Sequence, residues 1–216
     1  MSDLLKKINL YGQFAYLFVG VLALFVIYLD LYLINYDLAS FPTLGSLTDT
    51  ANILPFTLIA YFIGNILQSL SSVGPFKKIL NIEKIKNDFS DEQKQDLEKA
   101  KLYFRVKYHK DQNNENDYYN KLWNLCYTYA QSKDDTGQVL NFSAQHGLYK
   151  GLYVLFFLES LFFGVLLTQN STALIGLVIS IIFSYALCLR ARKFLRYMTS
   201  KTIESYIVKQ ADNQTA

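Results

Sequence analysis

Apolar and charged positions are segregated along this chain rather than interleaved. No charge occurs from Ile8 to Leu29, from Ala51 to Phe76, or from Ser160 to Leu189. A helix that crosses a bilayer needs about 20 mostly apolar residues, so the first two runs predict one helix each, over residues 11–32 and 54–72. Gly151 to Leu158 extends the third run across Glu159, and together they are long enough for two spans that turn at Thr168-Gln169-Asn170-Ser171-Thr172. The pattern predicts an all-α membrane protein: four transmembrane helices with a helical cytosolic insert between helices two and three. The expected organisation is a first helix pair with a short outer loop over 1–76, a cytosolic helical domain over 77–150, a second helix pair over 151–189, and a cytosolic C-terminal helix and tail over 190–216.

Within the insert, Ser90-Asp91-Glu92-Gln93 reads as a capping box with acidic residues in the first helical turn. The helix that it opens carries Leu97, Ala100, Phe104 and Tyr108 at helical spacing. Asp111 to Asp117 is a polar turn, and a second helix from about Tyr118 to Ser132 places Leu122, Leu125, Cys126 and Tyr129 on one face. After the break at Asp134-Asp135-Thr136-Gly137, a proline-free stretch continues to Leu167 and predicts one helix that joins the insert to the third span. In helix two, Pro55 is placed in the first turn, where its missing N–H is tolerated, and Gly74-Pro75 ends the element. The loop from Asp37 to Asp49, with Phe41-Pro42-Thr43-Leu44-Gly45, reads as a turn.

Charge fixes the expected orientation. With four spans, all 21 basic residues fall on one side, at Lys6 and Lys7, from Lys77 to Lys150 and from Arg190 to Lys209. The other side carries Asp30, Asp37 and Asp49. Lysine and arginine near span ends mark the cytoplasmic face, so both termini and the insert are expected in the cytoplasm, and the net charge of +3 is first a topological signal. Ile8 to Leu29 exceeds the apolar core of a secretory signal, and Leu29-Asp30-Leu31-Tyr32 offers no small-residue cleavage site, so helix one is expected to be retained. Tyr28, Tyr32 and Tyr36 suit its outer interface. Cys126 and Cys188 imply no disulfide framework.

Enzyme constellations are missing from the sequence: no glycine-rich phosphate loop, no paired-cysteine motif, and no histidine pair at metal-ligand spacing, with His109 and His146 the only histidines. Ser143 and His146 are three apart on a helix, but nothing marks an orienting acid or an oxyanion hole. No catalytic residue, metal or cofactor is expected. Glu159 is the sharpest single position, because a carboxylate deep in a membrane normally faces a bundle interior or an aqueous path. Two readings stay open for it, a pore or gate carboxylate and a neutral group hydrogen-bonded between helices. Thr57, Tyr61, Asn65, Gln68 and Ser72 share one face of helix two, either lining a pore or bonding to neighbouring helices. Gly176, Ser180, Ser184 and Cys188 form a small-residue packing seam on helix four, with Gly12, Tyr16 and Gly20 a lesser version on helix one. Lys99, Lys101, Arg105 and Lys107 could contact phosphate groups, although Asp96, Glu98 and Asp111 dilute them toward a solvated face. Lys77-Lys78 and the arginines from Arg190 to Arg196 suit lipid headgroups.

Ala60-Tyr61-Phe62-Ile63-Gly64-Asn65-Ile66-Leu67-Gln68 and Gly147-Leu148-Tyr149-Lys150-Gly151-Leu152, in a layout of two helices, insert and two helices, resemble small bacterial membrane effectors of anti-phage operons, nearest the Hailong type. That resemblance implies an oligomeric ion channel of the inner membrane, held shut by an oligonucleotide from a partner nucleotidyltransferase and acting by depolarisation. The residues then take expected roles: helix two and Glu159 at the pore, Gly147 and Gly151 as hinge positions in the coupling helix, copies of the chain and the bilayer as partners. A non-conducting scaffold that docks a cytosolic partner through the insert is the alternative.

Overall fold

A computed structural model describes residues 10–34, 50–79, 89–108, 122–130 and 137–215 of the chain. Its regular structure among these residues is entirely helical: α1 Leu10–Leu33, α2 Thr50–Leu70, α3 Gly74–Ile79, α4 Asp91–Tyr108, α5 over 122–130, α6 Gln138–Leu166 and α7 Ala173–Thr215. Four stretches are long and apolar enough to cross a membrane: Gly12–Leu33, Ile53–Leu70, Gln138–Leu166 and Ala173–Val208. The lysines at 6 and 7, the loop from Asp37 to Asp49, the turn from Asp111 to Asp117 and the break from Asp134 to Thr136 lie outside the described residues, as do the side chains of Lys77, Lys78, Phe104 and Tyr108.

The chain divides into two compact units, Met1–Leu80 with Ala144–Ala191, and Asn81–Ser143 with Arg192–Ala216. In the first unit, α1 and α2 cross with their backbones in contact. A Cβ added to Gly20 would meet the Ala60 carbonyl, and one on Gly64 would meet the Tyr16 carbonyl. These pairings run in opposite senses along the two helices, so α1 and α2 are antiparallel. Small residues permit such approach, and in lipid close packing replaces the missing hydrophobic drive between helices.

Two further contacts, Val19 with Gly151 and Asp30 with Glu159, set α6 parallel to α1. Between α6 and α7, Phe163 covers Gly176 and Phe156 stacks on Phe183 at 5.2 Å, an antiparallel pairing. The shared core comprises Val19, Ala23, Leu67, Leu152, Tyr153, Val154, Leu155, Cys188 and Ala191. Large apolar side chains such as Phe18, Phe62, Ile66, Val165 and Ile182 point outward, as expected where hydrocarbon is the solvent.

Chain reversals follow from local chemistry. Helix α2 begins at Thr50, earlier than expected, so Pro55 lies inside it rather than in its first turn. Its ring lacks the N–H that the helix would use there. At the other end Gly74 adopts φ 59, a left-handed conformation open to glycine. The chain then turns so that Phe76 meets the edges of Tyr153 and Phe157 at 5.6 and 5.2 Å. Between α6 and α7, Asn170 Oδ1 accepts from the Thr172 N–H at 3.0 Å and from its hydroxyl at 2.8 Å.

In the second unit the capping box forms as read: the Ser90 N–H donates to Gln93 Oε1 at 3.1 Å, and the Gln93 N–H donates to Ser90 Oγ at 3.3 Å. Gln93 Nε2 also donates to Ser200 Oγ on α7 at 3.1 Å. Ala100, Leu122, Cys126, Ile203 and Tyr206 make one small core, with Leu97, Leu125 and Tyr129 against it. Phe89, Leu195 and Met198 make another with Trp123, Tyr127 and Phe142. The C-terminal helix thus supplies apolar side chains that α4 and α5 are too short to provide by themselves.

Candidate functional site

The polar residues of the first unit are distributed at two levels of its helices. Toward one end, Gln68 lies over a notch that Gly147 and Gly151 leave in α6. A Cβ on Gly147 would come 3.1 Å from Gln68 Oε1, and one on Gly151 would come 3.2 Å from Gln68 Cγ. Among the described residues, Gln68 Nε2 is enclosed without a hydrogen-bond acceptor. Close by in sequence, the Ser71 hydroxyl donates to the Gln68 carbonyl. Lys150 Nζ donates to Ser72 Oγ at 2.7 Å. His146 Nδ1 sits 2.9 Å from the Ala191 carbonyl, and since a carbonyl only accepts, Nδ1 carries the proton.

Toward the other end, Glu159 is 8% exposed. Its carboxyl lies beside that of Asp30 on α1. The chemistry available here is proton or cation handling, in a setting where an isolated charge is costly.

The helix-two stripe is placed residue by residue. Thr57 Oγ1 donates to the Ile53 carbonyl of its own helix at 2.7 Å. The Tyr61 hydroxyl donates to Gln13 Oε1 on α1, and Tyr16 meets the Tyr61 ring edge-on at 6.0 Å. Asn65 is half-buried. Tyr61, Gln68 and Ser72 therefore face α1 and α6 of the same chain. Helix α6 is unbroken through Gly147 and Gly151, and both glycines serve close approach by side chains of α1 and α2. On α7, Gly176 lies under Phe163, Ser180 and Ser184 are buried, and the Ser184 hydroxyl donates to the Tyr153 carbonyl at 3.4 Å. That stripe packs against α6.

Of the basic residues on α4, Lys99 pairs with Asp96 at 3.7 Å and Lys101 with Glu98, each within one turn of its own helix. The side chains of Arg105 and Lys107 lie outside the described residues. The Ser143 hydroxyl is 3.2 Å from the Tyr127 hydroxyl, so Ser143 and His146 are each held by a different partner. Among the described residues no group of three or more His, Cys, Asp and Glu could hold a metal ion. Cys126 is buried in the small core, and burial pushes its thiol up to about 12.

Sequence reasoning missed Asp30, which it counted among the acidic residues of the outer side, and the pairing of Lys150 with Ser72. The sequence signal for Asp30 is an ionisable residue inside an otherwise uncharged helix, and for Lys150 it is a lone cation in the apolar helix that also carries Glu159. No protein-family model, no curated protein and no solved structure matches the chain.

Proposed function

We propose that this chain is the subunit of an oligomeric ion channel in a bacterial inner membrane, opened through its polar helical segment, with both termini cytoplasmic. The observation that carries the reading is Glu159, buried beside the half-buried Asp30 among helices long and apolar enough to cross a membrane. Ionisable groups at such positions mark ion and proton pathways. Four helices are too few to enclose a wide aqueous path, so conduction needs several copies around an axis, and closed symmetry is the usual outcome. Opening would collapse the membrane potential and arrest the cell, which in a phage-infected bacterium limits spread. A nucleotide or oligonucleotide made by a partner nucleotidyltransferase is the gating ligand that the family resemblance implies.

The second reading, a non-conducting scaffold that docks a cytosolic partner, is favoured by one observation: Tyr61, Gln68 and Ser72 bond or pack within the chain rather than turning outward. Ion flux into liposomes separates the two. Glu159→Gln is expected to change cation flux by about tenfold, equivalent to roughly 1.4 kcal/mol, while oligomer size is retained. Absence of flux from a folded oligomer, with and without oligonucleotides, would select the scaffold.

A further inference from the structure

The charges of the first unit are sorted by depth. Among its described residues the only acids are Asp30 and Glu159, and Lys150 lies about 13.5 Å from Glu159 along α6 at 1.5 Å per residue. Arg190 shares the depth of Lys150: the contacts of His146 with the Ala191 carbonyl and of Ser184 with the Tyr153 carbonyl set the register of α6 against α7, and leave Arg190 about 5 Å from the level of Lys150. Lys77 and Lys78 follow shortly after Ser72 in the chain. Among the described residues no carboxylate pairs with Lys150 or Arg190. This depth is that of lipid headgroups. The apolar stretch of α2 ends at Leu70, just before Ser72, and Lys150 is about 24 Å along α6 from Leu166, near the boundary of a hydrocarbon core about 30 Å thick.

One hydrogen bond organises the donors here. Lys150 Nζ donates to Ser72 Oγ at 2.7 Å. An ammonium carries three N–H donors, so two remain, and a hydroxyl that accepts keeps its own O–H free to donate. The pair therefore presents three donors and an uncompensated positive charge, which an anionic oxygen satisfies. Its base is fixed on both sides of the lysine: a Cβ on Gly147 would come 3.1 Å from Gln68 Oε1, and one on Gly151 would come 3.1 Å from Val19 Cγ1. Ser72 itself is exposed, so a ligand reaches the pair from the surface of the bundle.

We propose that Lys150 and Ser72 bind the phosphate of an anionic membrane lipid. The phosphate accepts from the ammonium and the hydroxyl together, and the lipid's net charge offsets the cations at this depth. A zwitterionic lipid brings its own cation and is the poorer occupant. The site rests on the spanning helices and not on ion conduction.

The test adds phosphatidylglycerol, phosphatidylcholine or inorganic phosphate to the full chain purified in a neutral detergent and counts bound lipids by native mass spectrometry. The wild type is expected to bind phosphatidylglycerol in preference to phosphatidylcholine. Lys150→Gln is expected to weaken phosphatidylglycerol binding about fivefold, the effect of one lysine near an anionic surface, and Lys150→Arg to retain it. Ser72→Ala is expected to weaken binding with no change in charge. Lys201→Gln is the control, since it removes a lysine already paired with Glu204 at 2.7 Å, and it is expected to bind as the wild type does. Equal binding of the two lipids overturns the site, as does an equal loss in Lys201→Gln and Lys150→Gln, which would mean general attraction to charge. Displacement of the lipid by millimolar inorganic phosphate overturns the lipid as occupant in favour of free phosphate. If Lys150→Gln does not fold, Ser72→Ala decides. Flux plays no part in the measurement, so loss of the channel reading leaves the lipid site standing, and loss of the lipid site leaves the channel.

Discussion

Cys126 shows what burial alone does to a reactive group. Its thiol sits among Ala100, Leu122, Ile203 and Tyr206, and desolvation raises it from an ordinary 9.0 to about 12. Thiolate is the reactive form, so at a given pH the folded protein holds about a thousandfold less of it than an exposed cysteine would. In a Cys188→Ala background, a thiol reagent at mildly alkaline pH is expected to leave Cys126 unmodified until denaturant is added. The unfolded chain ionises first, so the neutral thiol's contribution to stability is complete below pH 9 and lost as pH rises toward 12. Unfolding measured across that range checks it. Sequence placed Cys126 correctly on an apolar face, because helical period survives in a single segment. It could not pair Asp30 with Glu159, since hydropathy weighs each segment separately and says nothing about which helix lies beside which.

At the scale of elements, the spans were legible and their contacts only partly so. Uncharged length marked the first two helices that are long and apolar enough to cross a membrane and, once extended across Glu159, the other two, and a capping box marked the start of α4. The crossing of α1 and α2 depends instead on Gly20 and Gly64 meeting the carbonyls of Ala60 and Tyr16. Sequence singled out Gly20 but not the helix it meets, and gave Gly64 no packing role. The obstacle to a larger side chain is backbone on both helices, which cannot step aside as a flexible side chain can. Gly20→Ala and Gly64→Ala are each expected to destabilise the folded protein by about 1–3 kcal/mol, the range for overpacked cores. Gly164 is the control, because a Cβ there meets nothing within 4 Å, and Gly164→Ala is expected to stay within about 0.5 kcal/mol. Thermal unfolding in one detergent compares all three. Equal tolerance at the three positions would mean that α1 and α2 do not cross at these glycines.

For the whole molecule, orientation has the greatest consequence, because the proposed cytosolic gating ligand requires α4 and α5 to lie in the cytoplasm. Hydropathy defines spans without a direction, whereas the distribution of basic residues supplies one. The short turn between α6 and α7 contains no Lys or Arg, while Arg190, Arg192, Lys193 and Arg196 follow the apolar part of α7. Under the positive-inside rule the turn belongs outside and the arginines inside. Ser171 in that turn and Glu92 in α4 are both exposed, so either can report its side as a single cysteine once Cys126 and Cys188 are replaced by alanine. In intact cells, a membrane-impermeant maleimide is expected to label Ser171→Cys directly and Glu92→Cys only after the membrane is permeabilised. The reverse pattern would place the basic clusters outside and remove any route for a cytosolic ligand to α4 and α5. Labelling of both without permeabilisation would mean that α6, the one candidate span between them among the described residues, does not cross, and the paired-span organisation would fall with it.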